Sequence, residues 1–256
     1  LAALNTCRLA FTDSTLLTPG KFVGFQNFID LFQDEYFLTA LLNSSLYVVC
    51  VVPFMVILPL ILANLVKGNG RIMGFFRTAF YMPVVMSAVV VGMIWTNLLD
   101  SQGLINSILK GAGIIEEAIP FLTNRWGILF SSMFVTIWLG LGYYMVIYLT
   151  ALANIDESLY EAAALDGAGP VRQFVSVTMP GVRSTMVLIM MLSTISAFRV
   201  FNEVYVLTNG TAGPGGMDMT MSMLIKNEGT GIQARTGYAS AISLVVLVIV
   251  GTLLII

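Results

Sequence analysis

The 256 residues are 57% hydrophobic and only 10% charged, against roughly a quarter charged in soluble domains. With a mean hydropathy of +0.89, a soluble fold of this length has no interior large enough for so much apolar surface, so lipid must cover part of it. The net charge of −2 and the lack of a basic cluster give no support for a nucleic-acid partner.

Absent residue types narrow the chemistry. There is no histidine, which removes the commonest metal ligand and general base. Cys7 and Cys50 alone build neither a disulfide framework nor a four-ligand metal site. No catalytic or metal site is therefore expected.

A bilayer core needs about 20 apolar residues of helix, and uncharged runs are read in chain order. Residues 1–12 are expected to be the outer end of a first, partial helix, or else a short amphipathic arm. The second span is expected over 40–66, with Pro53 and Pro59 inside it as sources of a kink. The third is expected over 76–99, followed by a connection in which residues 104–109 form a short surface helix. The fourth covers 127–153 and the fifth 182–207, and the sixth runs from 237 to 256. From Ser184 to Leu207 the fifth carries two charges, Arg199 and Glu203, four apart and so able to pair on one helical face. Charges inside a membrane are costly and default to functional candidates. The segment 209–216, NGTAGPGG, is turn-rich.

Short loops carrying Lys67, Arg71 and Arg77, and then Arg172 and Arg183, are denser in positive charge than the opposite side. The positive-inside rule places these loops in the cytoplasm.

Residues 156–180, DESLYEAAALDGAGPVRQFVSVTMP, form an unusual connection. Ser158 with Glu161 three residues later fits a capping box that starts a helix near Leu159. Gly167 and Gly169 are suited to end it. Pro170 suits the first position of a second helix, whose apolar side is Val171, Phe174, Val175 and Val177 and which Pro180 closes. Small residues at Ala162, Ala163 and Ala164 would let another backbone approach. A docking surface and a hairpin lying flat on the membrane are both compatible with this pattern.

The same segment resembles the EAA loop of ABC importer permeases, whose pattern is E-A-A, three residues, G, nine residues, I-x-L-P. Glu161, Ala162, Ala163, Gly167, Val177, Met179 and Pro180 occupy those positions, and Asp166-Gly167-Ala168 matches the family's D-G-A. Val177 and Met179 are departures from Ile and Leu. Further likenesses are Gly24-Phe25-Gln26-Asn27-Phe28, Phe201, Leu207-Thr208-Asn209-Gly210 with Pro214, and Tyr238-Ala239-Ser240-Ala241. Together they resemble the carbohydrate-uptake branch, of the maltose and glycerol-phosphate type.

That resemblance implies an all-α polytopic membrane protein, a six-helix type I ABC importer permease with its first helix truncated, in a bacterial inner membrane. It implies coupling to an ATPase through a cytoplasmic loop at Glu161, Ala162, Ala163, Asp166, Gly167 and Ala168. The implied partners are a second permease subunit, two ATPase subunits, an extracytoplasmic solute-binding protein and lipid. No P-loop, G-x-x-x-x-G-K-[ST], occurs in the chain. No cofactor is expected here, and ATP with its magnesium would be bound by the partner ATPase.

Solute requires polar or aromatic groups facing inward. Thr136, Leu139, Gly140 and Tyr143 share one face of the fourth span, and Ser193, Ser196, Ala197 and Val200 one face of the fifth. The resemblance points to the same two faces, with Arg199 and Glu203 as further candidates. Ordinary helix packing also enriches small residues and serines. A secondary transporter and a non-transporting scaffold are the competing readings.

Overall fold

The computed structural model describes residues 2–68, 70–231 and 234–255. Leu1 and Ile256, the outer limits of the first and last expected spans, lie outside the described residues. Among the described residues, apart from one isolated antiparallel bridge, Thr12 with Phe22, the regular structure is helical.

In chain order the helices are α1 (Ala2–Leu9), α2 (Gln26–Gln33), α3 (Glu35–Val66), α4 (Arg71–Tyr81), α5 (Ala88–Leu99), α6 (Leu104–Gly111) and α7 (Arg125–Leu152). They continue with α8 (Glu157–Leu165), α9 (Pro170–Gln173), α10 (Met179–Gly181), α11 (Arg183–Phe198), α12 (Asn202–Leu207), α13 (Met221–Gly229) and α14 (Thr236–Ile255). Among the described residues, five stretches are long and apolar enough to cross a membrane: Glu35–Val66, Ala88–Gly111, Arg125–Leu152, Arg183–Leu207 and Thr236–Leu254. The longest, α3, has 32 residues and is about 48 Å long at 1.5 Å per residue, well beyond the roughly 30 Å hydrocarbon core. It runs as one helix through Pro53 and Pro59. The short helix expected over 104–109 is present as α6.

Two expected spans are not single helices. The third divides into α4 and α5, joined by a 3₁₀ turn at Met82–Val85 and extended backbone at Met86 and Ser87. Pro83 has no amide to bond back into the preceding turn, which is why the α-helix stops there. The fifth ends at Phe198 and restarts at Asn202, with Phe201 at φ −139° and ψ −58°. The carbonyls freed at this break are captured by hydroxyls: Thr220 donates to Val200 O at 2.9 Å and Ser222 to Arg199 O at 3.0 Å.

The chain forms two compact units. The first comprises Leu1–Val49, Ser87–Val135 and Thr194–Ile256, and the second Cys50–Met86 and Thr136–Ser193. In the first, Leu31, Phe37, Tyr47, Ile128, Phe198 and Met221 are fully buried. Polar side chains tie its connections down. Asn43 donates to Met217 O (2.7 Å) and Met219 O (2.9 Å), Ser44 accepts from the Met221 amide, and Tyr238 donates to Asp34 at 2.7 Å. In the second, Leu60, Met145, Tyr148 and Ile189 are buried, and Tyr148 donates to Val56 O at 2.9 Å, one turn before Pro59.

Candidate functional site

The segment 156–180 lies wholly within the second unit. Helix α8 begins at Glu157, two residues earlier than the capping-box reading gives. Asp156 is the N-cap, and its carboxylate accepts the Ser158 amide at 3.0 Å. That bond holds the Asp156 carboxyl below the usual aspartate range. The Ser158–Glu161 box does not form. Asp156 already satisfies the amide within its reach, and among the described residues the Glu161 side chain makes no hydrogen bond or ion pair and is exposed.

Helix α8 ends as a glycine predicts. Gly167 has φ +76°, and the Ala168 amide bonds back to Ala163 O at 2.9 Å. Gly169 is instead extended, and Pro170 opens the next helix. Pro180 does not close that helix. The chain passes through a π-helical turn at Phe174–Thr178 into α10 and stops at Val182. The π turn carries the Met179 amide to Phe174 O, an i→i+5 bond.

The loop exposes Glu161, Ala162, Asp166 and Gly167, with Ala163 and Ala168 half-buried. Apolar side chains stand in the open beside them: Leu165 is 90% exposed, Val171 79% and Leu159 53%. A cluster missed by sequence reasoning lies beneath. The Tyr160 and Thr178 hydroxyls share a hydrogen bond of 2.9 Å, and Lys67 Nζ stands 4.4 Å from the Tyr160 ring centroid. No spacing rule brings residues 67, 160 and 178 together.

The expected solute face on the fourth span lies in the second unit, whereas that on the fifth is divided, with Ser193 in the second unit and Ser196, Ala197 and Val200 in the first. On α7, within the second unit, Thr136 is buried, Leu139 half-buried and Tyr143 exposed. Gly140 faces Met55, whose Sδ and Cε stand where a Cβ would go, so this glycine makes room for a helix contact. The Tyr143 ring packs edge-on against Tyr144. Ser193 is buried and its hydroxyl bonds Met190 O at 3.1 Å within its own helix. In the first unit Ala197 and Val200 are buried, whereas Ser196 and Arg199 are exposed. The expected Arg199–Glu203 pair does not form. The helix breaks between the two residues, which takes them off a common face; the ion pair among the described residues is Arg235–Glu228 at 2.7 Å.

A second buried group went unread. Asp218 is wholly buried, neither of its carboxylate oxygens has a hydrogen-bond partner, and Gly213, at φ +73°, packs directly on it. Burial raises its carboxyl to about 7, partly offset by the Arg125 charge.

Residues 36–256 match the family model for binding-protein-dependent transport system inner membrane components. The chain is 34% identical over 234 residues to the lactose transport system permease protein LacF of Rhizobium radiobacter, covering 91% of this chain and 78% of that one. The crystal structure of a bacterial ABC transporter involved in the import of the acidic polysaccharide alginate has a chain that superposes with a TM-score of 0.82 at 23% identity, covering 98% of this chain and 86% of that one. A second alginate transporter structure, in complex with an alginate pentasaccharide-bound periplasmic protein, has a TM-score of 0.80 at 25% identity, covering 91% and 80%.

Proposed function

Because the chain belongs to the family of binding-protein-dependent transport system inner membrane components, a transport component and not an enzyme, we propose that it is one permease subunit of an importer for an oligosaccharide or related solute, driven by a partner ATPase through residues 156–180. A lactose permease relative at 34% identity supports the sugar class. An alginate transporter solved with its loaded periplasmic protein supports an extracytoplasmic solute-binding partner.

One observation carries the coupling role. The loop that bears the EAA pattern presents Leu159, Leu165 and Val171 to solvent beside its small residues. Apolar side chains exposed on two short helices outside the membrane-spanning stretches mark a protein contact. ATP binding would close a pair of ATPase subunits, and docked helices would move with them as rigid bodies. The spans attached to them would tilt and change which side of the membrane the pathway faces. A second permease chain would complete that pathway, and magnesium-bound ATP would be held by the ATPase alone.

The test is to purify the permease with its ATPase, reconstitute both with the solute-binding protein, and measure ATP hydrolysis with lactose, diacetylchitobiose and arabinooligosaccharides. Stimulation by one of these, lost in Gly167→Pro while the subunits still co-purify, is the expected result. A Gly167→Pro assembly that hydrolyses ATP and transports normally would remove the loop from the coupling path.

A further inference from the structure

The end of α3 and the loop 156–180 belong to the same compact unit, and Lys67, Tyr160 and Thr178 join them. Arg77 caps the C-terminus of α3, donating from Nε to Val66 O at 2.8 Å and from Nη2 to Gly68 O at 3.0 Å. Val66 O is an orphan of the last helical turn and Gly68 O lies just beyond it, and the guanidinium satisfies both and complements the negative end of the helix. Between them lies Lys67, with its ammonium 4.4 Å from the centre of the Tyr160 ring. A cation at that distance is attracted by the ring face. Tyr160 then reaches across the loop, and its hydroxyl bonds that of Thr178 at 2.9 Å. Thr178 is 1% exposed and forms the last residue of the π turn. Extra residues inserted into a helix as a π turn recur at functional sites, and here the turn ends on the residue that receives Tyr160.

We propose that Tyr160 is the positioning residue of the coupling loop: its hydroxyl locks α8 to the π turn ahead of α11, and its ring holds both to the end of α3 through Lys67. Resting on the coupling role proposed above, this adds a transmission route. A force applied at the exposed face of α8 reaches two spans at once, α3 through Lys67 and α11 through Thr178. Without the lock, α8 swings on Gly167 and the ATPase moves a loop instead of helices.

The test uses the full permease assembled with its ATPase, with Cys7 and Cys50 replaced and spin labels at Leu65→Cys and Glu157→Cys, both exposed positions. The native assembly should show one narrow inter-label distance before and after trapping with ATP and vanadate. Tyr160→Phe removes the hydroxyl and leaves the ring under Lys67. Thr178→Val removes the other partner at nearly constant volume. Each should raise the population of a second, broader distance about fivefold, the equivalent of one net hydrogen bond. The double variant should lose no more than either alone, and Thr178→Ser should restore the native distribution. Native distances in Tyr160→Phe and Thr178→Val, or losses that add in the double variant, would overturn the assignment. A cross-link from Ala163→Cys to the ATPase separates the two ideas. Its presence with unchanged distances removes only the role of Tyr160, and its absence removes the coupling role and this inference together.

Discussion

Asp218 carries an unbalanced cost at the residue scale, since neither of its buried carboxylate oxygens has a hydrogen-bond partner. It is wholly buried in a turn-rich segment where Asn209, Gly210, Ala212, Gly213, Gly215 and Gly216 all take positive φ. Between about pH 4 and 7 its carboxyl, raised to about 7 in the folded chain, is ionised in the unfolded chain and neutral in the folded one. A group raised in this way favours folding below its unfolded value, and stability is lost as pH rises from about 4 to about 7. Asp218→Asn should remove that slope and raise stability above pH 7 by about 1–3 kcal/mol, the scale for one unsatisfied buried group. Thermal melts of the detergent-solubilised permease between pH 5 and 8 check this, and a native-like slope in the variant would refute it. Spacing identified Gly140, Ser193, Ala197 and Val200 as inward-facing, but not what they face. Gly140 abuts Met55, the Ser193 hydroxyl is used within its own helix, and Ala197 and Val200 are buried within the chain itself. A helical face looks the same in sequence whether a solute or another helix covers it.

The elements follow local rules until a backbone group loses its partner. Helix α8 illustrates this, because two capping schemes compete at its start and the one that satisfies an amide two residues on prevails. The Asp156 carboxyl lies below its ordinary value, so the cap persists above about pH 4 and is lost as pH falls through the lowered folded value. Asp156→Ala should speed amide exchange across α8 at neutral pH. Asp156→Asn, an equally good N-cap, should keep native protection and lose the acid sensitivity. Exchange mass spectrometry reads both, and identical protection in all three chains would show that α8 owes nothing to its cap. The break at Met82–Ser87 was foreshadowed by Pro83, yet Pro53 and Pro59 pass without ending α3. The break after Phe198 has no proline at all. There Thr220 and Ser222 supply hydroxyls to the carbonyls of Val200 and Arg199, so the helix can part at a place where its own sequence reads as continuous.

For the whole molecule, the division into two units cuts across sequence order, and α3, α7 and α11 each contribute residues to both. The orientation proposed from Lys67, Arg71, Arg77, Arg172 and Arg183 is testable at this scale. In a chain lacking Cys7 and Cys50, Leu165→Cys should react with a membrane-impermeant maleimide only after the cells are opened. Ile114→Cys, exposed in the connection after α6, should react in intact cells. The reverse pattern would invert the topology and take the loop away from any cytoplasmic ATPase.

Membrane residence, helical class, the presence of several long apolar helices and the importer family were legible in the sequence alone. The first three rest on uncharged length, which depends only on what lipid excludes. The family rests on a fixed spacing of small and turn residues within 25 positions of one loop. That the fifth span breaks after Phe198, that Arg199 and Glu203 stand apart and that Lys67, Tyr160 and Thr178 meet were decided by tertiary structure. Each depends on where a freed carbonyl, a ring or a hydroxyl finds its partner, and those partners come from distant parts of the chain that no local pattern brings together.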